Sequence, residues 1–369
     1  MEKSYRYSIP LHNYDTSIKL DINEYNFEHP QEFYVTLFNA IQKPKTLTHY
    51  SNMFCDEHIR LINNISKKVN LSKENVLITS GSDTALEYLV TCLFNNANNT
   101  LFYFVPNYSY MVDYLIKHKK NHIETIAFDV LCDRYKLSTY LDNYTMNDND
   151  VIYISNPNNP TGLCVDKNDI ELCLTKYSRI NFVIDEAYID FMEETYSMCS
   201  LVTTFPNLYI VRTFSKAYGI AGLRLGYILS QKQNITFIHN NALNEASLTE
   251  ISKCAGNYIL ENLSYYNKII QNTIDNREYF FVFLNEYNIF YIPSNANFVS
   301  IYLGKNCGDF THKLQEKGII VRNKTKDTNM YGFVRITIGT SEQMKLLCSS
   351  ILEYGIDNIE SKNSYHKNI

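Results

Sequence analysis

Short apolar runs bounded by turn residues recur between residues 76 and 229, at Val76–Thr79, Leu101–Val105, Val151–Ser155, Phe182–Asp185, Leu208–Val211 and Leu225–Leu229. Segments long enough for a helix separate them, as at Ser82–Phe94, Tyr108–His118 and Asp166–Tyr177. A strand that is apolar at consecutive positions is buried on both faces, and a sheet flanked by helices on both sides covers it. Strands alternating with helices therefore predict βαβ units and an α/β fold with a mostly parallel sheet.

After Ser247 the pattern changes. As far as Tyr287 the chain has no proline and a single glycine, and apolar residues return at helical spacing through Ile251, Cys254, Ala255, Tyr258 and Ile259. One long helix, or two in sequence, is expected to carry the chain out of the sheet. Beyond it, Ala296–Tyr302, Ile319–Arg322 and Val334–Ile338 read as strands around a helical stretch at Cys307–Gly318. The expected organisation is an N-terminal arm over 1–45 contributing to the small domain, a large α/β domain over 46–275, and a small C-terminal α+β domain over 276–369. A length of 369 residues suits two such units.

Composition removes several classes of function. Lys and Arg number 34 against 39 Asp and Glu, a net charge of -5, so the chain has no electrostatic footprint for nucleic acid. No apolar stretch approaches the ~18 residues that a bilayer span needs. The start, Met1-Glu2-Lys3-Ser4-Tyr5-Arg6, lacks the apolar core of a signal peptide, so a cytoplasmic protein is expected. Nine cysteines, scattered from Cys55 to Cys348 with no C-x-x-C pair, read as small buried hydrophobes in a reducing compartment.

Chemistry concentrates at the ends of the apolar runs. In Arg212-Thr213-Phe214-Ser215-Lys216-Ala217-Tyr218-Gly219 a single Lys follows a buried strand, where lost solvation lowers its pKa and frees the amine as a nucleophile. Arg224, eight residues on, can fork a phosphate, with the Thr213 and Ser215 hydroxyls as shorter donors; a plain turn with a solvated Lys is the alternative. Asn156-Pro157-Asn158-Asn159-Pro160-Thr161-Gly162 is either a tight connection or a ligand loop at the sheet's carboxyl edge. Asp185, in Asp185-Glu186-Ala187-Tyr188, ends a buried strand and calls for a cationic partner, for which a protonated ring nitrogen would serve. Gly81-Ser82-Asp83 joins a strand to a helix start whose free N–H groups can cradle phosphate. Tyr108 either lies against a flat ligand or packs in the core.

Taken in order and spacing, Gly81-Ser82-Asp83, Asn159-Pro160-Thr161-Gly162, Asp185-Glu186-Ala187-Tyr188, Ser215-Lys216 and Arg224 resemble the fold-type I pyridoxal-phosphate enzymes of the class I/II aminotransferases. Within them the chain is most similar to the histidinol-phosphate aminotransferase branch, over roughly Asp21 to Ile351. The resemblance implies pyridoxal 5′-phosphate as cofactor, with Lys216 as the amine that holds it and then moves the substrate's proton. Asp185 would pair with the ring nitrogen, and Asn159 and Tyr188 with the phenolate oxygen. Ser82, Asp83, Thr213, Ser215 and Arg224 would grip the phosphate, and Tyr108 would stack on the ring. Tyr50 matches a tyrosine that reaches the neighbouring subunit's site, which implies a homodimer. Arg335 matches the arginine that takes an α-carboxylate, and Arg322 a second one found where substrates carry phosphate. The activity implied is transfer of an amino group between glutamate and a small phosphorylated keto compound.

One stretch departs from the branch. Its Asn-Glu-Asn-Pro run near the N-terminus is replaced by Asn23-Glu24-Tyr25-Asn26, so the loop that closes over substrate is altered. The alternative reading is a decarboxylase of a phosphorylated amino acid, resembling threonine-phosphate decarboxylase, because sequence does not show which bond is held perpendicular to the cofactor ring. A non-catalytic cofactor-binding sensor would need an attached DNA-binding domain that the arm is too short to supply. His118 and His122 have H-x3-H spacing, but Lys119 and Lys120 intervene and no acid does, so no metal site is expected there.

Overall fold

The computed structural model describes residues 17–360, apart from 45, 52, 96–97, 121, 131–135 and 245–246. The first 16 residues of the arm, including the Met1–Arg6 start, lie outside the described residues. The described chain opens with β1 (Ile18–Leu20), α1 (Gln31–Gln42) and α2 (Asp56–Val69). It then alternates through β2 (Val76–Thr79), α3 (Gly81–Leu93), β3 (Leu101–Val105), α4 (Tyr110–Lys117), β4 (Ile123–Ala127), α5 (Leu137–Leu141), β5 (Val151–Ser155), α6 (Lys167–Lys176) and β6 (Asn181–Asp185). Two strands, β7 (Leu208–Thr213) and β8 (Gly226–Leu229), follow, and then α7 (Lys232–Ala242).

These strands form one seven-stranded sheet in the order β2-β8-β7-β6-β5-β3-β4. Every pairing is parallel except those of β8, which runs antiparallel to both β2 and β7. The consecutive apolar residues do what two-sided burial demands. Val76, Ile78, Ile152, Ile154, Phe182 and Ile184 enter one core layer with α2 and α6. Leu77, Val151, Tyr153 and Val183 enter the layer on the other face with α3, α4 and α7. Strand β4 was not expected from the sequence: its Ile-Glu-Thr-Ile-Ala run is half exposed because it lies at the sheet's edge.

The long helical stretch divides in two, α8 (Glu250–Glu261) and α9 (Leu263–Glu286), separated by Asn262. Tyr266 and Ile270 near the start of α9 pack in the core of the large sheet. Phe280, Phe283 and Leu284 near its end pack in a third cluster. That cluster belongs to the second sheet, built from β9 (Tyr291–Ile292), β10 (Phe298–Tyr302), β11 (Ile319–Asn323) and β12 (Phe333–Thr337), with α10 (Cys307–Glu316) and α11 (Ser341–Tyr354). The order is β1-β11-β12-β10-β9, so the N-terminal segment supplies an edge strand parallel to β11. The same segment's α1 packs instead on α8, with Phe33 against Tyr258. At α11 a reciprocal capping box joins Thr340 to Gln343 and fixes the helix start.

Candidate active site

The carboxyl ends of β5, β6 and β7 open onto a cleft of about 590 Å3 that the small sheet closes from the other side. Of the residues singled out from sequence, Ser82, Asp83, Tyr108, Asn159, Asp185, Tyr188, Ser215, Lys216, Arg224, Arg322 and Arg335 line it. A larger cleft of about 710 Å3, flanked by Lys68, Asp190, Tyr218 and Arg277, contains none of them. Volume therefore does not locate the chemistry here; the convergence of charged groups does.

Asp185 ends β6 and is 3% exposed. Its Oδ2 accepts from the Tyr153 hydroxyl at 3.1 Å and its Oδ1 from the Ala187 N–H at 3.0 Å. Burial, with Asp83 and Glu186 adding repulsion, pushes its pKa from 3.8 up to about 7. Among the described residues it makes no ion pair, so this carboxylate sits at depth without a cation.

Lys216 follows β7 on a loop that several bonds pin. The Thr213 hydroxyl donates to Ser215 Oγ at 2.9 Å and accepts the Ser215 N–H at 3.1 Å. Tyr218 donates to Asp190 at 2.7 Å, and Lys68 donates to the same carboxylate oxygen at 2.9 Å. The Lys216 ammonium donates to the Ile22 carbonyl at 3.2 Å. Burial, aided by Arg335, lowers its pKa from 10.5 to about 8. Thr213 is buried behind this loop and is not among the lining residues, so its hydroxyl shapes the loop that Ser215 and Lys216 occupy.

Arg335 enters from β12. Its Nη1 donates to Asn159 Oδ1 at 2.6 Å and its Nη2 to the Asp21 carbonyl at 2.7 Å, with the guanidinium 5.3 Å from the Phe298 ring centre. Its Nε is buried with no partner among the described residues, and none of their carboxylates forms an ion pair with it. Burial and the neighbouring Arg322 push its pKa down. Asn159 Nδ2 reaches the Tyr188 hydroxyl at 3.3 Å, and Asn23 Nδ2 donates to the same oxygen at 2.9 Å. Burial raises the Tyr188 phenol to about 12.

The phosphate cradle expected at α3 has a specific backbone requirement. Gly81 has φ +84, and a Cβ there would come 2.7 Å from Arg224 Nη2. A Cβ on Gly226 of β8 would come 2.8 Å from the Ser82 nitrogen and 2.7 Å from the Gly81 carbonyl carbon. Two glycines thus let β8 and the start of α3 meet, leaving first-turn amides without intrahelical acceptors. Asp83 joins the other members: its Oδ1 accepts from the Tyr108 hydroxyl at 2.8 Å and its Oδ2 from Arg224 at 3.3 Å. Tyr108 lies on the cleft wall, its ring near-parallel to Tyr110 at 6.3 Å. Tyr50 does not line the cleft of its own chain and is 89% exposed.

Several lining residues escaped the sequence reading. Asn23 and Glu24 belong to the segment recognised only as altered. Tyr153, which lies behind the lining and bonds Asp185, falls within an apolar run, although a hydroxyl in a fully buried strand beside the β6 acid is a signal that could have found it. Asn107, whose Oδ1 accepts from the Tyr108 N–H at 2.8 Å, and the pair Lys324 and Asp327 had no local pattern to mark them.

These groups fit pyridoxal 5′-phosphate. A buried acid without a cation suits its protonated ring nitrogen, the α3 amides with Ser215 and Arg224 suit its phosphate, and a lysine of depressed pKa suits its aldehyde.

Comparison with known proteins agrees. The family described as Aminotransferase class I and II matches residues 15–351. A histidinol-phosphate aminotransferase of Buchnera aphidicola subsp. Diuraphis noxia is 33% identical over 326 residues, covering 84% of each chain. The structure of histidinol-phosphate aminotransferase from Sinorhizobium meliloti in complex with pyridoxal-5′-phosphate superposes with a TM-score of 0.78 at 21% identity, covering 91% of this chain and 90% of that one. L-threonine-O-3-phosphate decarboxylase from Porphyromonas gingivalis shares the fold too, with a TM-score of 0.75 at 20% identity, covering 91% of this chain and 99% of that one. The chain belongs to the class I and II aminotransferases, as a fold-type I, pyridoxal 5′-phosphate-dependent aminotransferase of the histidinol-phosphate aminotransferase-like branch.

Proposed function

We propose that the enzyme moves an amino group reversibly between glutamate and a small keto compound that carries a phosphate. The observation that carries this reading is the pair of arginines at one wall of the cleft, Arg335 and Arg322, which suits substrates bearing an anionic group at each end.

When bound, pyridoxal phosphate supplies an electron-withdrawing ring that spreads the charge left on the substrate carbon as its Cα–H bond breaks. Asp185 would hold the proton on the ring nitrogen, and the Tyr153 and Ala187 donors keep that carboxylate oriented. Asn159 and Tyr188 would bind the phenolate oxygen. The α3 amides at Ser82 and Asp83, with Ser215 and Arg224, would hold the phosphate, and Tyr108 would lie along the ring. Lys216 would hold the cofactor through its amine and, when that amine is free, would accept the proton from the substrate's Cα. Arg335 anchors the α-carboxylate, its unpartnered Nε being available to it.

In this reading the large domain over 46–275 would carry the cofactor, and the small one over 276–369 would face the substrate, joined from the arm by β1 while α1 packs on α8 of the large domain. A homodimer with Tyr50 reaching the partner's cleft accords with Leu47, Tyr50 and Phe54 being 68%, 89% and 81% exposed on one short segment. Supplying glutamate with a panel of phosphorylated and unphosphorylated keto compounds, and measuring 2-oxoglutarate, tests the reading. Turnover confined to phosphorylated acceptors supports it. Reaction only with unphosphorylated keto acids, or carbon dioxide release from a phosphorylated amino acid without amino transfer, contradicts it.

A further inference from the structure

The turn between β11 and β12 carries three charges to which the amino-transfer chemistry gives no part, Lys324, Lys326 and Asp327, and the first and last of them form an ion pair. Backbone bonds close the turn: the Lys324 N–H donates to the Phe333 carbonyl at 2.9 Å and the Asp327 N–H to the Lys324 carbonyl at 2.8 Å. Lys324 stands two residues beyond Arg322, and Arg322 is in register with Arg335 on the neighbouring strand. Residues two apart on extended chain share a face, and Arg322, Lys324 and Arg335 line the one cleft with Asp327 and with Lys326 of the same turn.

The ammonium of Lys324 forms an ion pair with Asp327, but the two partners are placed differently. The lysine side chain is 13% exposed and the aspartate 38%. The cation therefore sits inside, and its counter-ion sits at the rim. Burial, with Arg335 beside it, lowers the lysine's pKa to about 8 despite the Asp327 carboxylate on its ammonium.

We propose that Lys324 is a third cation of the acceptor site and that the phosphate of a phosphate monoester replaces Asp327 on its ammonium. This rests on the phosphorylated-acceptor reading given above and adds the residue that would select for it. A carboxylate offers one charge and two oxygens, which a single guanidinium fork satisfies. A phosphate dianion offers a second charge and a third oxygen, and a flexible ammonium beside the fork can take these. Asp327, already at the rim, can turn to water while the incoming phosphate takes over its charge on the buried ammonium.

The test is equilibrium binding of inorganic phosphate, at fixed ionic strength, to the cofactor-loaded enzyme and its Lys324→Gln, Lys324→Arg and Asp327→Asn variants. The loaded form is used so that the α3 cradle does not compete for the probe. Losing one charge-assisted bond should weaken phosphate about tenfold in Lys324→Gln. Lys324→Arg should keep most of the affinity. Removing the internal competitor in Asp327→Asn should tighten binding by roughly two- to fivefold. A damaged fold cannot produce that opposite sign. Phosphate binding that is the same in wild type, Lys324→Gln and Asp327→Asn overturns this inference alone, and so does weaker binding in Asp327→Asn. A wild-type enzyme that does not bind phosphate overturns both this inference and the phosphorylated-acceptor reading.

Discussion

Arg322 on β11 and Arg335 on β12 stand directly opposite each other in the antiparallel register, and both reach the same cleft. Like charges in that position repel, so the arrangement makes sense as a receptor for anions. Replacing each in turn should separate the two ends of the chemistry. Arg335→Gln should reduce kcat/KM for glutamate by about ten- to a hundredfold, the value of a lost bidentate contact. Arg322→Gln should fall mainly on the phosphorylated acceptor. Steady-state kinetics with each substrate varied checks this, and equal losses on both substrates in both variants would contradict it.

Asp185 is expected to show opposite effects on stability and turnover. Its folded pKa of about 7 lies above the ordinary 3.8, so folded protein without cofactor binds more protons than the unfolded chain between those values. Stability from this group is present below pH 3.8 and is lost as pH rises through about 7. Asp185→Asn removes that loss, so the cofactor-free variant should melt above cofactor-free wild type at pH 7.5, with the ionisation advantage gone near pH 4. The same variant, loaded with cofactor, should turn over about 10²–10³-fold more slowly. Thermal melts at both pH values and a rate measurement check the pair.

The large sheet was legible in the sequence because its central strands are apolar at every position, a pattern that two-sided burial enforces; Val151–Ser155 and its neighbours needed no tertiary information. Strand β4 was not legible, since an edge strand tolerates Glu124 and Thr125 at exposed positions. Strand β1 has three residues, and its partner β11 is some 300 positions away, a pairing no local pattern encodes. Within the site the same division holds. Lys216, Asp185 and the Gly81 turn sit where strands end, and strand ends are readable. Asn23 reaches Tyr188 across 165 residues, and Lys324 reaches the cleft because β11 and β12 deliver it there.

The Lys216 amine must be neutral to attack the cofactor's aldehyde. With its pKa lowered to about 8, cofactor uptake by cofactor-free enzyme should accelerate with pH and level off above about pH 8. Arg335 is one cause of that lowering after burial, so Arg335→Gln should move the midpoint upward. Stopped-flow absorbance across pH 6 to 10 measures it; a midpoint near 10.5 in wild type would contradict the account.

Gly226 tests the cradle through backbone alone. A methyl there meets main-chain atoms of Gly81, Ser82 and Arg212 at 2.7 to 2.8 Å, and none of these can rotate away. Gly226→Ala should displace the start of α3 and weaken cofactor binding by about tenfold or more, as overpacking of about 1–3 kcal/mol implies. Gly222→Ala, where a methyl meets nothing within 4 Å, is the control and should bind cofactor as wild type does.

The most direct measurement is borohydride reduction of the enzyme loaded with pyridoxal phosphate, followed by peptide mass spectrometry. The expected result is one modified peptide, carrying the reduced cofactor on Lys216, and no cofactor-modified peptide in Lys216→Ala. A cofactor fixed to another lysine, or a wild-type protein that stays colourless when the cofactor is supplied, would contradict the account.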